Sequence, residues 1–233
     1  MHPSLMFPTD VKLNQIKSRA YESLYSVSAF RKSNMELLID IRTLDDSLEK
    51  WRLGIPKILR PSLLFSRDER MEVGGINIRS LVLRLDYLHC MTVVHQASNR
   101  CLRGSMNSDG TRTVIATGIA LAVEASRSSL KYLETAYHIL NKGSFWIVLF
   151  YPFVASVTIL CNILEDPALP SAINDYELLR NFPRLMRDMS TYDLEAEDLL
   201  QRDQLEAFVK QMIDVAACAI TSVGGKISSS NNE

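Results

Sequence analysis

The chain has 233 residues, 47% of them apolar and 23% charged, with 9 Gly, 8 Pro and a net charge of −1. That length can bury a sizeable core. The scarcity of Gly and Pro disfavours an all-β fold dense in tight turns, and the near-zero charge gives no bulk attraction to nucleic acid or acidic membranes.

The four cysteines, Cys90, Cys101, Cys161 and Cys218, are scattered and form no CxxC pair. They spell neither a zinc motif nor a disulfide framework, and read as free thiols in a reducing compartment. The opening residues, MHPSLMFPTDVK, carry neither the basic n-region nor the apolar h-region of a signal peptide.

Apolar spacing is helical along nearly the whole chain. A first helix is predicted over residues 9–30, capped by Thr9 or Asp10, with Val11, Ile16, Ala20, Leu24 and Val27 as its inner stripe. A second is predicted over 34–53, capped by Ser33 or Asn34, with Leu37, Leu38, Ile41, Leu44, Leu48 and Trp51 inward; Gly54 and Pro56 stop it. Residues 54–75, with two prolines, a charge cluster and a Gly-Gly pair, read as an irregular connection.

A third helix is predicted over 76–101, with Leu81, Leu85, Leu88, Thr92 and Val93 as its core stripe. After the loop RGSMNSDG comes a long Ala- and Ser-rich helix over 111–140, broken by Asn141, Lys142 and Gly143. Residues 143–164 then run 22 long without a charge, which is enough to cross a bilayer and also enough for a buried core helix. Pro152 and three polar residues within it decide neither way, since true spans tolerate them.

EDPALP stops that segment, and a sixth helix is predicted from Ser171 to Asn181, continuing past Pro183 to Met189. A seventh follows a cap at Ser190, Thr191 or Asp193, with Leu199, Leu200, Leu205, Phe208, Val209, Met212, Ile213 and Ala216 as its apolar residues. The polar tail, residues 224–233, is predicted to be disordered. The expectation is an all-α helical bundle of about seven helices, a single domain over residues 1–223.

The third helix raises the question of chemistry, because two His and two Cys lie within thirteen residues, 89–101. Chelation by one helix needs ligands three or four apart. His89 and His95 are six apart, so at about 100° per residue they point roughly 120° away from each other. Cys90 and His95, five apart, fail likewise. A catalytic Cys90 with a distant base such as His138 is one unsupported pairing. No GxSxG, HExxH, Walker or GxGxxG motif is present. Glu195, Glu197, Asp198 and Asp203 flank a helix start, where acidic residues favour the dipole. Each histidine therefore reads first as a packed, hydrogen-bonded core residue.

The string LRLDYLHCMTVVHQAS, residues 83–98, resembles the signature helix of the fungal-specific transcription factor regulatory domain, the middle homology region of zinc-cluster factors. Leu83, Leu85, Tyr87, Leu88 and His95 fit that pattern; His89 fits one place off, and Gln96-Ala97 replaces the usual Arg-Pro. Residues 46–59, with Trp51 and Pro56, are similar to the family's approach segment. Residues 144–186, with Pro167, Ala172 and Asp175, are similar to its later helix pair. The resemblance covers about residues 44–185 and implies that the uncharged segment is a core helix.

The resemblance also implies a regulatory domain, in the nucleus, or in the cytoplasm for a stand-alone relative. Four scattered cysteines cannot build the family's six-cysteine zinc cluster, so the expectation is either a piece of a longer factor or a relative without a DNA-binding half. Neither cofactor nor metal is expected, nor direct nucleic-acid binding, nor membrane attachment. The expected partners are a small-molecule effector, other proteins or a second copy. The alternative is a small-molecule-binding or catalytic protein of a biosynthetic pathway on the same scaffold. Candidate pocket residues are Tyr87, His89, His95, Tyr137, His138, Trp146 and Tyr151; a pocket gathering two or more of them would favour that alternative.

Overall fold

A computed structural model describes residues 10–65, 77–103, 109–140, 144–190 and 196–230. Seven α-helices lie in chain order: α1 (Val11–Ala20), α2 (Asn34–Leu53), α3 (Ile78–Gln96), α4 (Asp109–Ala136), α5 (Phe145–Glu165), α6 (Ala172–Ser190) and α7 (Ala196–Ser230). Short 3-10 or π turns join several of them, and no strand occurs among the described residues. The all-α expectation holds. The chain divides into two compact units, Met1–Ser128 and Ser129–Glu233, with the division inside α4.

In the first unit, α1 is shorter than its apolar pattern suggests. Asp10 caps it by accepting from the Leu13 N–H, but after Ala20 the backbone widens into a π turn, Tyr21–Tyr25, and Ser26 is extended. Leu13, Ile16, Ala20 and Leu24 are buried, whereas Val11 and Val27 are exposed. Val11 sits two residues, about 200°, from Leu13, and Val27 lies beyond the helix altogether.

The α2 bounds agree with the sequence reading. Ser33 and Glu36 form a reciprocal capping box, satisfying two backbone N–H groups that the first turn leaves without partners. Leu37, Ile41, Leu44, Leu48 and Trp51 are buried. Trp51 stacks on Tyr87 of α3, with ring centroids 6.2 Å apart, and its Nε1–H donates to Asp10 Oδ1 at 3.0 Å. One side chain thus ties the start of α1, the end of α2 and the middle of α3.

The α3 helix starts at an Asn77 cap and ends earlier than predicted, at Gln96, where a 3-10 segment Ala97–Arg103 takes over. All five stripe residues, Leu81, Leu85, Leu88, Thr92 and Val93, are buried. Arg100 in the 3-10 segment donates to the carbonyls of Leu24 and Ala29 and covers the Phe30 ring, closing the α1–α2 connection.

In the second unit, α5, α6 and α7 pack pairwise against one another. The α5 helix is the one helix among the described residues long and apolar enough to cross a membrane, and half of its most apolar stretch is buried. Phe145, Val148, Leu149, Ala155, Ile159 and Ile163 face inward as a core stripe. Pro152 and Pro183 both lie inside helices, as the continuation past Pro183 anticipated.

Arg187 pairs with the buried Glu206, and Arg202 donates to Ser190 Oγ, fastening α6 to α7. Ser190 therefore belongs to the end of α6; Thr191 and Asp193, the other predicted caps of α7, lie outside the described residues. Of the apolar residues assigned to α7, Val209, Met212 and Ala216 are buried, while Leu199, Leu200 and Phe208 are exposed. Helical backbone runs to Ser230, where composition predicts a disordered tail.

Candidate effector site

Three stretches of the first unit surround a cleft of about 230 Å³. The α2 helix supplies Leu38, Ile41, Arg42 and Asp45; the end of α3 and its 3-10 extension supply His95 and Ser98; α4 supplies Thr113, Val114, Thr117, Gly118 and Leu121. The spacing explains the convergence. Positions 38, 41, 42 and 45 repeat at three and four and share one helix face, as do 113, 117 and 121.

Gly118 sets the closeness of approach. A Cβ there would lie 2.5 Å from Ser98 Oγ and 3.2 Å from Ser98 Cβ. A Cβ at that distance would require Ser98 to shift, so glycine lets α4 lie directly against the 3-10 extension of α3.

The polar centre of the cleft is the His95–Asp45 pair. His95 is buried, and its Nε2 lies 3.1 Å from Asp45 Oδ1. The hydrogen bond from His95 holds the Asp45 carboxyl below its ordinary range; burial opposes this and loses. An ionised carboxylate can only accept, so the His95 Nε2–H donates to it. His95 Nδ1 is buried and without a hydrogen-bond partner among the described residues.

Of the seven predicted pocket residues, only His95 lines this cleft. Tyr87 is buried under Trp51, and burial pushes its phenol up to about 12. His89 is buried with its Nε2 3.1 Å from the Tyr21 hydroxyl, next to the Lys17–Asp86 ion pair at 2.8 Å. Burial, reinforced by Lys17, pushes His89 down to about 4, so it is neutral at physiological pH. Burial also pushes the neighbouring Cys90 thiol up to about 12, which keeps it protonated.

Tyr137, His138, Trp146 and Tyr151 belong to the second unit. There Tyr137 meets His138 edge-on, His138 is exposed, the Trp146 N–H donates to Asp198, and Tyr151 is buried beside Phe150. Among the described residues, no group of three or more His, Cys, Asp or Glu can hold a metal ion.

A larger groove of about 660 Å³ lies along α1 and the end of α2, but its charged residues Lys12, Arg19 and Lys50 are exposed to solvent. Its Asp10 carboxylate accepts from the Trp51 N–H at 3.0 Å and caps α1 by accepting from the Leu13 N–H at 2.9 Å, contacts that join helices.

Comparison with known proteins adds the context. Over 188 residues, 75% of the chain, the sequence is 29% identical to an ABC-transporter-regulating transcription factor of Aspergillus oryzae and 28% identical to one of Aspergillus fumigatus. Over 202 residues, 86% of the chain, it is 22% identical to a protein of Schizosaccharomyces pombe described as an uncharacterized transcriptional regulatory protein. The chain is a relative of fungal transcription factors. It spans 20% of the length of each Aspergillus protein and 25% of the third. No family model and no solved structure matches it. The resemblance drawn from residues 83–98 and their flanks thus agrees with relatives matched over three quarters of the chain or more.

Proposed function

We propose that this chain is a regulatory module of a fungal transcription regulator and that the cleft between α2, α3 and α4 is its effector site. The observation that carries the reading is the His95–Asp45 pair: a charged, half-buried carboxylate fixed by a buried histidine in a largely aliphatic concavity. Ligand sites commonly combine an apolar wall with a few placed polar groups. The similarity to transcription regulators supplies the process, and by extension from the two Aspergillus relatives we place ABC-transporter genes among its targets. Such a role puts its work in the nucleus. The net charge of −1 gives the module no bulk pull on DNA, so its output passes through protein partners or a second copy.

The catalytic alternative has less to stand on, because Cys90 is a buried, protonated thiol and His89 is enclosed beside Tyr21.

The test is a fusion of the chain to a heterologous DNA-binding domain, with reporter output measured across a panel of small molecules. The expected result is a response in the wild type that Thr117→Leu, which fills the cleft from an exposed position, removes. A flat response across the panel, or an equal response from the filled variant, contradicts the reading.

A further inference from the structure

We infer that the cleft selects a small apolar molecule bearing a protonated amine, because most of the polar atoms it offers are acceptors. This rests on the reading of the cleft as an effector site and names the ligand class. Asp45 uses Oδ1 to accept from His95, and its Oδ2 takes no hydrogen bond among the described residues. The Thr113 hydroxyl donates to the Asp109 carbonyl at 3.0 Å, and the Thr117 hydroxyl donates to the Thr113 carbonyl at 2.8 Å. Both hydroxyl protons are thereby used within α4, and lone pairs are what remain for a ligand.

Donors are few. Arg42 lines the rim of the cleft, where its side chain is 76% exposed, its Nε lies 3.3 Å from Asp46 and solvent screens its charge. The Ser98 hydroxyl can donate, but it can equally accept. An anionic ligand would meet the Asp45 carboxylate at the polar centre of the cleft, while the Arg42 guanidinium beside it stands largely in solvent. A cationic donor meets a charge of opposite sign in a site that is only partly solvated, where such a contact is strongest.

Size follows from the volume. A dry cavity of about 150 Å³ holds a benzene ring. The cleft, at about 230 Å³, has room for a ring and a short arm. Leu38, Ile41, Val114 and Leu121 supply the apolar wall for that ring.

The experiment is titration calorimetry of the whole chain with three probes of similar shape: 2-phenylethylamine, 2-phenylethanol and phenylacetate. The expected order of affinity is amine, alcohol, carboxylate, with the amine at least tenfold tighter than the carboxylate. Asp45→Asn is expected to weaken the amine about tenfold and leave the alcohol nearly unchanged, while Thr117→Leu abolishes all three. Thermal melts confirm folding of each variant, and Asp45→Ser serves as a second variant should the amide disturb His95.

Equal binding of the three probes, tighter binding of the carboxylate, or an amine affinity that survives the loss of Asp45 overturns the inference while leaving an effector cleft standing. Failure of the amine to bind at millimolar concentration also overturns it. The effector reading itself falls only on the reporter result above.

Discussion

His89 and His95 stand six residues apart on one helix, and both are buried, yet their surroundings differ in kind. Around His89, Tyr21 faces its Nε2, and Lys17 and Asp86 form an ion pair beside it. Around His95 there is a cleft, and its partner Asp45 keeps one oxygen unused among the described residues. Burial alone therefore does not mark a site. What distinguishes the second region is an unspent polar atom next to unfilled volume.

The largest expected effect comes from the closed region. His89 titrates at about 4 in the folded protein against an ordinary 6.5. Between those values the unfolded chain binds more protons, so stability falls as pH drops from about 6.5 towards 4. At about 1.4 kcal/mol per unit, the loss is roughly 3 kcal/mol. Urea unfolding across that range measures it, and His89→Gln should flatten the slope. An unchanged slope in the variant would remove His89 as its source.

Next in size is Tyr21→Phe, which takes one hydrogen-bond partner from a buried ring nitrogen and should cost about 1–2 kcal/mol. It should leave probe binding at the cleft unaltered. A shift in probe affinity would mean that the two regions are coupled.

Asp45→Asn should change stability by less than about 1 kcal/mol at neutral pH, since Asp45 is about one-third exposed and the pair is partly screened. The folded pKa of Asp45 is lowered, so its stabilisation is present above the unfolded value of about 3.9 and disappears as pH falls through the folded one. The Asn variant should lack that most acidic part of the wild-type profile. If it keeps it, another carboxyl is responsible.

The smallest effect is expected from Gly118→Ala. Its gain in helix propensity, at most about 1 kcal/mol, is set against a Cβ pressed onto Ser98. The variant should be neutral or slightly destabilised, and Gly118→Ala combined with Ser98→Gly should recover stability relative to Ser98→Gly alone. A clear gain from Gly118→Ala alone would show that Ser98 yields without cost.

These contrasts also mark what the sequence can reveal. The α2 helix was legible to the residue, because Ser33, Glu36 and Gly54 are local signals that act within a few positions. The π turn at Tyr21–Tyr25 was not, since no residue there breaks a helix, and Val27 was misplaced as a result. The cleft was missed for a different reason. The sequence marks His, Tyr and Trp in apolar surroundings, but Tyr87 and His89 lie in the core and four others belong to the second unit.

The residues that line the cleft are weakly polar and lie on three separate segments. The readable trace was a second face of α2, Leu38, Ile41, Arg42 and Asp45, beside the core stripe, and a Thr–Gly face on α4. Their meeting depends on long-range packing that periodicity does not encode.

The most direct test of an open His95 region and a closed His89 region is amide chemical-shift mapping of the ¹⁵N-labelled chain during titration with 2-phenylethylamine. The account predicts shifts confined to residues near Asp45, His95 and Ser98 and along Thr113–Leu121, with the amides around Tyr21 and His89 unmoved. Shifts centred on His89, or none anywhere, would contradict it.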